Sequence, residues 1–337
     1  MTGKNFKQWV LGILIIGLYM VSPMRSVSQV NKTKVLLDTD ANNELDDQHA
    51  MAYLFFNGDV FDVVGVTVNA TRNGGDIQEQ MEEAKRVMTL CRVEGIIPLK
   101  KGANGSFEEI VPHIGKEDFD GAEAVDFIIE QVHQAGQEKL VLLPVGKLTN
   151  IALALEKDPS IAEKVRIVWL GSNYPEPGEY NQDNDEAALN YILEKVVPFE
   201  MVTVRYGQPS GTAAVTANRE EIKTHMPGIG PKAKQQVEGR HGGSFEYFGD
   251  YSINLYEHIH THDDAGTRAL FDMAAVAIVK NPDWAEEKEI PAPVLKEGKW
   301  EEQPANPRKI IVWENFDKEK IMKDFFHRMK NYVLIKP

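Results

Sequence analysis

Five acidic side chains lie within ten positions near the start of the chain, in the stretch LLDTDANNELDDQHAMAYLFF. They are Asp38, Asp40, Glu44, Asp46 and Asp47. No lysine, arginine, histidine or cysteine lies between the first and the last of them. Because ionised carboxylates that share a site repel each other, such a group takes up a proton or binds a cation. Ligands that offer only oxygen favour Ca²⁺ or Mg²⁺ over Zn²⁺, so the run predicts a site for a hard divalent cation.

Asp46 and Asp47 also have an interpretation that needs no metal. They stand at the start of a helix-like apolar stretch, where a carboxylate accepts backbone N–H bonds and favours the positive end of the helix dipole. Capping accounts for these two acids but not for Asp38 and Asp40, which precede them on the strand side. On the residues alone, the metal site and simple capping both remain open.

The elements that must position these acids alternate between two kinds. Short β-branched runs predict strands at Lys34–Leu37, Val63–Val68, Leu140–Leu143, Arg166–Leu170 and Met201–Val204. Amphipathic spacing predicts helices at Asp46–Phe56, Ile77–Leu90, Ala122–Ala135 and Leu148–Glu156. This alternation predicts an α/β fold with a mainly parallel sheet flanked by helices on both faces. Ligands bind such sheets at the carboxyl ends of the strands, where the acidic run lies.

The rest of the chain has a weaker pattern. Residues 206–266 mix helical spacing with glycine-rich breaks, which predicts a helical lid or insert. A buried helix is expected over Phe271–Val279, a hairpin over 296–317 and a closing helix over Lys318–Asn331. Because no linker or repeat interrupts the pattern, a single domain is expected over residues 29–337.

Composition narrows the function. The chain has 337 residues, 42% of them hydrophobic, and a formal net charge of −14. It is therefore long enough to bury a large core, and its charge argues against nucleic acid or an anionic membrane surface as its partner. Cys91 is the only cysteine, so no intrachain disulfide can form, and we expect Cys91 to be a buried helix residue without a chemical role.

The N-terminus has the pattern of a targeting segment. Lys4 and Lys7 precede an apolar run from Trp9 to Met20, and small residues follow at Ser26 and Ser28. This pattern predicts a secretory signal peptide over residues 1–28, hence a protein that is exported to the periplasm or the extracellular space and free of the membrane after cleavage. The alternative is an N-terminal anchor that is not removed.

The acidic run resembles the N-terminal signature of the inosine-uridine-preferring nucleoside hydrolase family, Asp-x-Asp-Pro-Gly-x-Asp-Asp. Asp38, Asp40, Asp46 and Asp47 match its acids, although the five residues ANNEL stand where the family has three. The blocks VVGVTVNATRN, LLPVGKLTNIALAL, GSNYPEPGEYNQDNDEAA and ALFDMAAVAIVKNP follow in the family's order. The resemblance covers most of residues 34–282 and implies the family's α/β fold.

The resemblance also implies a metal and a reaction. One Ca²⁺ would be held by Asp40, Asp47, the backbone carbonyl of Val145, and Asp272, with Asp38 orienting these ligands. The implied reaction hydrolyses the N-glycosidic bond of a ribonucleoside or a related small ribosyl compound. A metal-activated water would attack C1′ with Asp40 as general base, and the acidic pocket would stabilise the positive charge that develops on the sugar ring.

Further matches imply contacts with the ribose. Asp46 would bind the 2′- and 3′-hydroxyls, and Asn73, or less well Asn69, would lie near the 2′-hydroxyl. Asn173, Glu179 and Asn181 would bind on the 3′ and 5′ side. Without the resemblance, the last three residues are equally typical of a polar loop rich in turn-forming side chains.

Two departures from the family concern the leaving base. Phe271 stands where the family often has a histidine that protonates the base. His258, His260 and His262 alternate nearby, and we expect His260 to act as the acid from the lid. A second metal site and a surface cluster without a role are the alternatives for these histidines.

Other functions remain open. A protein that binds nucleosides or ribosyl compounds in the metal pocket without turnover would be consistent with Phe271. Asp38 and Asp40 also resemble the start of haloacid-dehalogenase-like phosphatases, but Asn42 stands where that motif requires Thr or Val. Nucleoside hydrolases commonly form dimers or tetramers, which leaves a homo-oligomer open, although no interface can be identified in the sequence.

Overall fold

The centre of the fold follows from two nearly unbroken apolar runs. Val35–Leu37 and Leu140–Leu143 are buried, and strands that are apolar on both sides must be covered on both faces. In the computed structural model, which describes residues 32–336, the two runs form neighbouring parallel strands of an eight-stranded sheet.

Fourteen strands are present in the described part of the chain. They are β1 (Thr33–Thr39), β2 (Phe61–Val68), β3 (Leu99–Lys101), β4 (Leu140–Pro144), β5 (Val165–Leu170), β6 (Phe199–Val202), β7 (Thr216–Ala217), β8 (Val237–Glu238), β9 (Ser244–Phe245), β10 (Arg268–Ala269), β11 (Glu286–Pro291), β12 (Val294–Lys296), β13 (Lys299–Glu301) and β14 (Lys309–Glu314). The large sheet has the order β11-β14-β6-β5-β4-β1-β2-β3. All its pairs are parallel except β11 with β14, which confirms the prediction of a mainly parallel sheet.

Eleven α-helices accompany these strands within residues 32–336. They are α1 (Asp46–Phe55), α2 (Ile77–Leu90), α3 (Phe107–Ile110), α4 (Ala122–Gln134), α5 (Thr149–Lys157), α6 (Tyr180–Asn184), α7 (Glu186–Glu194), α8 (Arg219–His225), α9 (Phe248–His258), α10 (Phe271–Lys280) and α11 (Lys318–Lys330). Alternate residues of β1 pack into two different cores: Val35 and Leu37 join α1, α2 and α10, whereas Leu36 joins α4, α5 and α7. Helices therefore cover both faces of the sheet.

The order of the strands reverses beside β1. The chain runs outward through β1, β2 and β3, returns to β4 on the other side of β1, and then runs outward through β5 and β6. Because the chain leaves these two neighbouring strands in opposite directions, a crevice forms beyond their carboxyl ends. Such a crevice is the usual ligand site of parallel sheets. The backbone N–H of Val145, just after β4, donates to the carbonyl of Asp38 at 2.8 Å and joins the two strand ends.

Two predicted regions differ from the structure. Only Val294–Lys296 and Lys299–Glu301 form the late hairpin, whereas Lys309–Glu314 joins the large sheet beside β6, because its apolar run is buried there. The segment 206–266 contains α8 and α9, but it also contains the two-stranded β8–β9 sheet and one strand of β7–β10. It is therefore a mixed insert and not a purely helical lid.

From residue 32 onward the chain forms one compact unit. Within the described residues, no helix combines the length and the apolar character that a membrane span requires. The predicted signal peptide over residues 1–28 lies outside the described residues.

Candidate active site and metal centre

A cavity of about 210 Å³ opens at the carboxyl ends of β1, β4 and β5. Two groups of its lining residues differ in burial. We call the first group, which is buried, the cavity floor; it consists of Asp40, Asp46, Asp47 and Asp272. We call the second group, which is half-buried or exposed, the cavity rim; it consists of Glu44, Tyr206, His262, Arg268 and Phe271.

Three acids of the floor converge from the starts of two helices. Asp46 and Asp47 lie in the first turn of α1, and Asp272 lies in the first turn of α10. One carboxylate oxygen from each lies within 4.8 Å of the other two. Both helices direct the positive ends of their dipoles toward the group, which favours negative charge there. The first-turn position and the convergence thus coexist, so capping and metal binding do not exclude each other.

The electrostatics of the floor fit a divalent cation. Burial raises the pKa of Asp40 and of Asp46 to about 7, and repulsion from neighbouring carboxylates adds to the effect. Burial, followed by repulsion from the other floor acids, raises the pKa of Asp47 and of Asp272 well above the usual range. A bound dication would remove both penalties, and the oxygen donors suit Ca²⁺ or Mg²⁺.

The close trio differs from the ligand set predicted from sequence. Within the described residues it contains Asp46, which was expected to bind ribose, and it lacks Asp40. Asp40 accepts a hydrogen bond from Thr71 Oγ1 at 2.6 Å, which fixes its orientation beside the trio. Val145 lines the cavity as expected, and its carbonyl accepts from Asn181 Nδ2 at 2.7 Å. A carbonyl oxygen has two lone pairs, so this hydrogen bond leaves one for a cation.

Asp38 lies behind the floor and is fully buried. Its carboxylate accepts from Thr67 Oγ1 at 2.6 Å, Asn69 Nδ2 at 2.9 Å and Asn150 Nδ2 at 2.7 Å. Burial raises the pKa of Asp38 to about 6, against the opposing effect of these donors. The carboxylate of Asp38 is therefore used in hydrogen bonds that position the end of β1. The side-chain amide of Asn69 is one of its donors.

Glycine is required at one position beside Asp40. A Cβ on Gly146 would lie 2.7 Å from Asp40 Oδ1 and 2.9 Å from the side-chain oxygen of Asn69. Contacts this short do not occur for real Cβ atoms. The turn after β4 can therefore approach the carboxylate of Asp40 only because residue 146 has no side chain.

Glu179 and Asn181 also line the cavity. The carboxylate of Glu179 accepts three backbone N–H bonds, from Ser172, Asn181 and Gln182, at 2.8 to 3.0 Å. Burial raises the pKa of Glu179 despite these bonds. Asn181 also donates to the carbonyl of Leu170 at 3.1 Å. Both side chains are held in place by backbone atoms, as a precise polar wall requires.

Two predicted ribose contacts lie elsewhere. Asn173 is not among the lining residues, because its side chain donates to the carbonyl of Pro177 at 3.2 Å and accepts from the N–H of Tyr206 at 2.9 Å. Asn73 is exposed and also absent from the lining, and its backbone N–H donates to the hydroxyl of Tyr180 at 2.8 Å. The structure thus brings Glu179 and Asn181 to the site but not these two asparagines.

The histidine of the rim is His262, whereas His260 is absent from the lining. Helix α9 ends at His258, so the three alternating histidines share neither a helix nor a strand. The backbone N–H of His262 donates to the carbonyl of Thr267 at 2.9 Å and closes the loop between them. Of these histidines, His262 and not the predicted His260 is therefore the one that lines the cavity.

Neither Tyr206 nor Arg268 is predicted as a site residue from the sequence. The ring of Tyr206 meets Phe271 edge to face, with centroids 6.0 Å apart. Arg268 forms an ion pair with Glu44 across the rim. The available sequence signal was a basic residue four positions ahead of Asp272. This spacing indicates no role for Arg268, because its position beside the cavity depends on the pairing of β10 with β7.

Comparisons with known proteins agree with this arrangement. The profile of the inosine-uridine preferring nucleoside hydrolase family matches residues 35–323. The chain is 28% identical over 206 residues to probable uridine nucleosidase 1 of Oryza sativa subsp. japonica, which covers 54% of this chain and 61% of that protein. It is 26% identical over 192 residues to the pyrimidine-specific ribonucleoside hydrolase RihB of Escherichia coli, covering 51% and 60%. The matched stretches thus span less than two thirds of these relatives.

Solved structures have the same fold. A plant nucleoside hydrolase, PpNRh1, superposes with a TM-score of 0.70 at 18% identity, over 89% of this chain and 99% of that one. A purine-preferring ribonucleoside hydrolase from Gardnerella vaginalis gives 0.67 at 21% identity, over 88% and 98%. These identities establish the architecture only. The profile match over most of the chain, with the acidic floor at the strand-order reversal, means that this protein belongs to the inosine-uridine preferring nucleoside hydrolase family.

Proposed function

We propose that this protein hydrolyses the N-glycosidic bond of a ribonucleoside or a related small ribosyl compound. The observation that carries the proposal is the cavity itself, in which four buried carboxylates face the same space as Glu179 and Asn181. Cleavage of a C–N bond at C1′ leaves positive charge on the sugar ring. A preorganised set of carboxylates stabilises that charge more strongly than water does.

Each group then has a chemical role. Asp40 accepts a proton from the water that attacks C1′, because its carboxylate lines the cavity beside the trio and is ionised once a cation offsets the repulsion among the floor acids. Glu179, Asn181 and the carboxylate oxygen of Asp46 that is not shared with the cation would accept and donate hydrogen bonds to the ribose hydroxyls. The carboxylates of the floor offset the charge of the transition state.

We propose Ca²⁺ as the resident cation. The trio of Asp46, Asp47 and Asp272 would hold it, with Asp40 and the carbonyl of Val145 adjacent. When bound, such a cation neutralises the floor and makes a nearby water easier to deprotonate. Calorimetric titration of chelator-treated protein with Ca²⁺ and Mg²⁺ tests the assignment. Tighter binding of Mg²⁺ than of Ca²⁺, or no binding of either, would contradict it.

The activity has a direct test. The purified protein is incubated with Ca²⁺ and a panel of purine and pyrimidine nucleosides, and the release of reducing sugar is measured. We expect hydrolysis of at least one nucleoside and its loss in the Asp40→Asn variant. Release that persists in that variant would point to a contaminating enzyme, and silence across the panel would count against the proposal.

One observation favours a second candidate, a protein that binds ribosyl compounds without turnover. Phe271 lines the cavity where a proton donor was expected, and its ring cannot donate. Binding of a nucleoside in calorimetry, with no free ribose after prolonged incubation, would favour this candidate over the hydrolase.

We also propose that the protein is exported, on the pattern of Lys4, Lys7 and the apolar run that follows them. Mass spectrometry of the protein from fractionated cells should find a new N-terminus close to Ser28 in the exported fraction. Full-length protein retained in the membrane would favour an anchor. Light scattering of the same sample measures whether the protein assembles with copies of itself.

A further inference from the structure

The charges that line the cavity are distributed unevenly. The acids of the cavity floor gather around the expected position of the sugar, and Glu179 adds another on the same side. Arg268 of the rim is the lining residue with a permanent positive charge in the described part of the chain. The floor is therefore negative, whereas the rim carries the guanidinium of Arg268 together with the carboxylate of Glu44.

Arg268 is held firmly in this place. It lies on β10, and the ion pair with Glu44 fixes one side of its guanidinium. Its Nη1 donates to the carbonyl of His260 at 3.4 Å, and its Nε is buried without a partner among the described residues. Only 12% of the side chain is exposed. A guanidinium fixed at several points presents its charge without further loss of conformational freedom.

The partner of Arg268 comes from the feature that sets this chain apart from the family signature. Glu44 belongs to ANNEL, the segment two residues longer than its counterpart. Phe271, the other departure, lies three positions after Arg268 and on the same rim. The longer loop, the ion pair and the missing proton donor thus lie together at the entrance to the cavity.

We propose that Arg268 stabilises the departing base, a catalytic role that rests on the hydrolase function proposed above. As the C1′–N bond breaks, its electron pair goes to the base nitrogen, and the water oxygen forms the new bond to C1′. One proton of that water goes to Asp40 and later to solvent. The base anion, held against the guanidinium, takes up a proton from solvent, while Arg268 keeps all of its own protons.

This arrangement matches the charges of the transition state. Positive charge on the sugar faces the floor, and negative charge on the base faces Arg268, so each end of the breaking bond meets its opposite charge. Cleavage of a base that is a poor leaving group depends on the guanidinium of Arg268. Cleavage of a leaving group whose anion is already stable does not. Comparing the two kinds of substrate therefore separates a catalytic role of Arg268 from a structural one.

The experiment compares a nucleoside with p-nitrophenyl β-D-ribofuranoside, whose nitrophenolate leaves as a stable anion. In the purified Arg268→Gln protein, kcat/KM for the best nucleoside should fall about 100-fold, the usual effect of removing a donor to developing negative charge. The value for the nitrophenyl riboside should change little. Arg268→Lys, which keeps the charge but loses the planar fork, should fall between the Gln variant and the parent for the nucleoside.

Arg219→Gln is the matched control. Arg219 is a partly buried arginine of the insert that precedes Arg268; it donates to the carbonyl of Tyr256 at 2.8 Å and is absent from the cavity lining. Its substitution should leave the ratio of the two activities unchanged. Thermal unfolding verifies that each variant is folded, and Arg268→Lys carries the comparison if Arg268→Gln does not fold.

The outcomes are distinct. A selective loss on the nucleoside supports the role of Arg268. An equal loss on both substrates, or no loss on either, overturns it while leaving the hydrolase function intact. If the parent protein cleaves neither substrate, the proposed function fails and the role of Arg268 fails with it.

Discussion

The cavity floor and the cavity rim are built in different ways. The floor acids come from the end of β1 and from the first turns of α1 and α10, which pack against the central sheet. The rim residues come from the loop before α1, from the segment after β6, from the coil and two-residue strand before α10, and, in the case of Phe271, from the first position of α10. The floor is thus part of the core, whereas the rim, apart from Phe271, is attached to it through short elements.

Their supports differ accordingly. Behind the floor, Thr39 donates to Asp47, and Asp38 is held by three donors from neighbouring elements. The rim is held by the ion pair of Glu44 with Arg268, by the aromatic contact of Tyr206 with Phe271, and by hydrogen bonds of Arg268 and His262 to backbone carbonyls of the same loop. Changes in the floor should therefore affect every substrate, whereas changes in the rim should discriminate between leaving groups.

The largest expected effect lies in the floor. Asp40→Asn keeps the shape of the side chain but removes the proton acceptor, so kcat/KM should fall roughly 1,000-fold, within the usual range for general acid–base groups. Because this step is common to all substrates, nucleosides and p-nitrophenyl riboside should suffer alike. Steady-state kinetics with both substrates measure the effect.

Asp183→Asn is the control for Asp40→Asn. Asp183 is exposed, lies on α6 next to the cavity wall and is absent from the lining, so its substitution removes a nearby charge without touching the site. An Asp40→Asn protein that loses activity on nucleosides alone would place Asp40 with the rim and break the distinction between the two regions.

The second effect concerns metal and pH. In the metal-free protein, burial raises the pKa of Asp40 and of Asp46 to about 7, above the unfolded value of 3.8. Their contribution to stability is therefore fully present below pH 3.8 and is lost as the pH rises through about 7. Since a cation binds the ionised carboxylates, Ca²⁺ should raise Tm more at about pH 8 than at about pH 5.

Scanning calorimetry with and without Ca²⁺ at the two pH values tests this. At about 100 times the dissociation constant, the cation should stabilise the protein by about 2.7 kcal/mol at the higher pH. The same increase in Tm at both pH values would mean that the floor acids are already ionised without metal, and would remove the electrostatic argument for the site.

A third, smaller effect tests the support behind the floor. Asp38→Asn directs an amide N–H₂ at groups that are themselves donors, so one hydrogen bond of the network is lost. Metal affinity should fall about 10-fold to 100-fold, as is usual for groups that orient metal ligands. Calorimetric titration measures the affinity. Thr67→Val, which removes one of the three donors to Asp38, should have a smaller effect.

The floor and its supports were largely predictable from the sequence because their signals are local. The strand before Asp38 is an apolar run, and α2 begins where predicted because Asp76 caps it and accepts from the N–H groups of Gln78 and Glu79. Acids that directly follow a predicted parallel strand are expected at the carboxyl edge of the sheet, where ligands bind. The sequence did not predict that Asp46, Asp47 and Asp272 form the close trio, nor that Asp40 accepts a hydrogen bond from Thr71, because both depend on contacts between separate elements.

The rim was not predictable because its positions depend on contacts between segments far apart in the chain. Arg268 reaches the cavity only because β10 pairs with β7, a strand of two residues with no pattern of its own. Lys309–Glu314 was expected in a hairpin for a similar reason: a β-branched run predicts a strand but does not identify its partner. The spacing of the three histidines likewise did not predict which of them faces the cavity, because helix α9 ends at His258, the first of the three.

The smallest expected effect decides between two of those histidines. His262 lines the cavity and His260 does not, so His262→Gln should lower kcat/KM on nucleosides more than His260→Gln does. A hydrogen bond to a ligand contributes ~0.5–1.5 kcal/mol, which corresponds to about 2-fold to 12-fold. His262 is exposed, so neither the packing nor the Tm should change appreciably. Because the rim acts on the leaving group, the loss should be larger for nucleosides than for p-nitrophenyl riboside. A greater loss from His260→Gln would mean that the loop closes differently over a bound substrate, and that the rim, unlike the floor, takes its final form only when the cavity is filled.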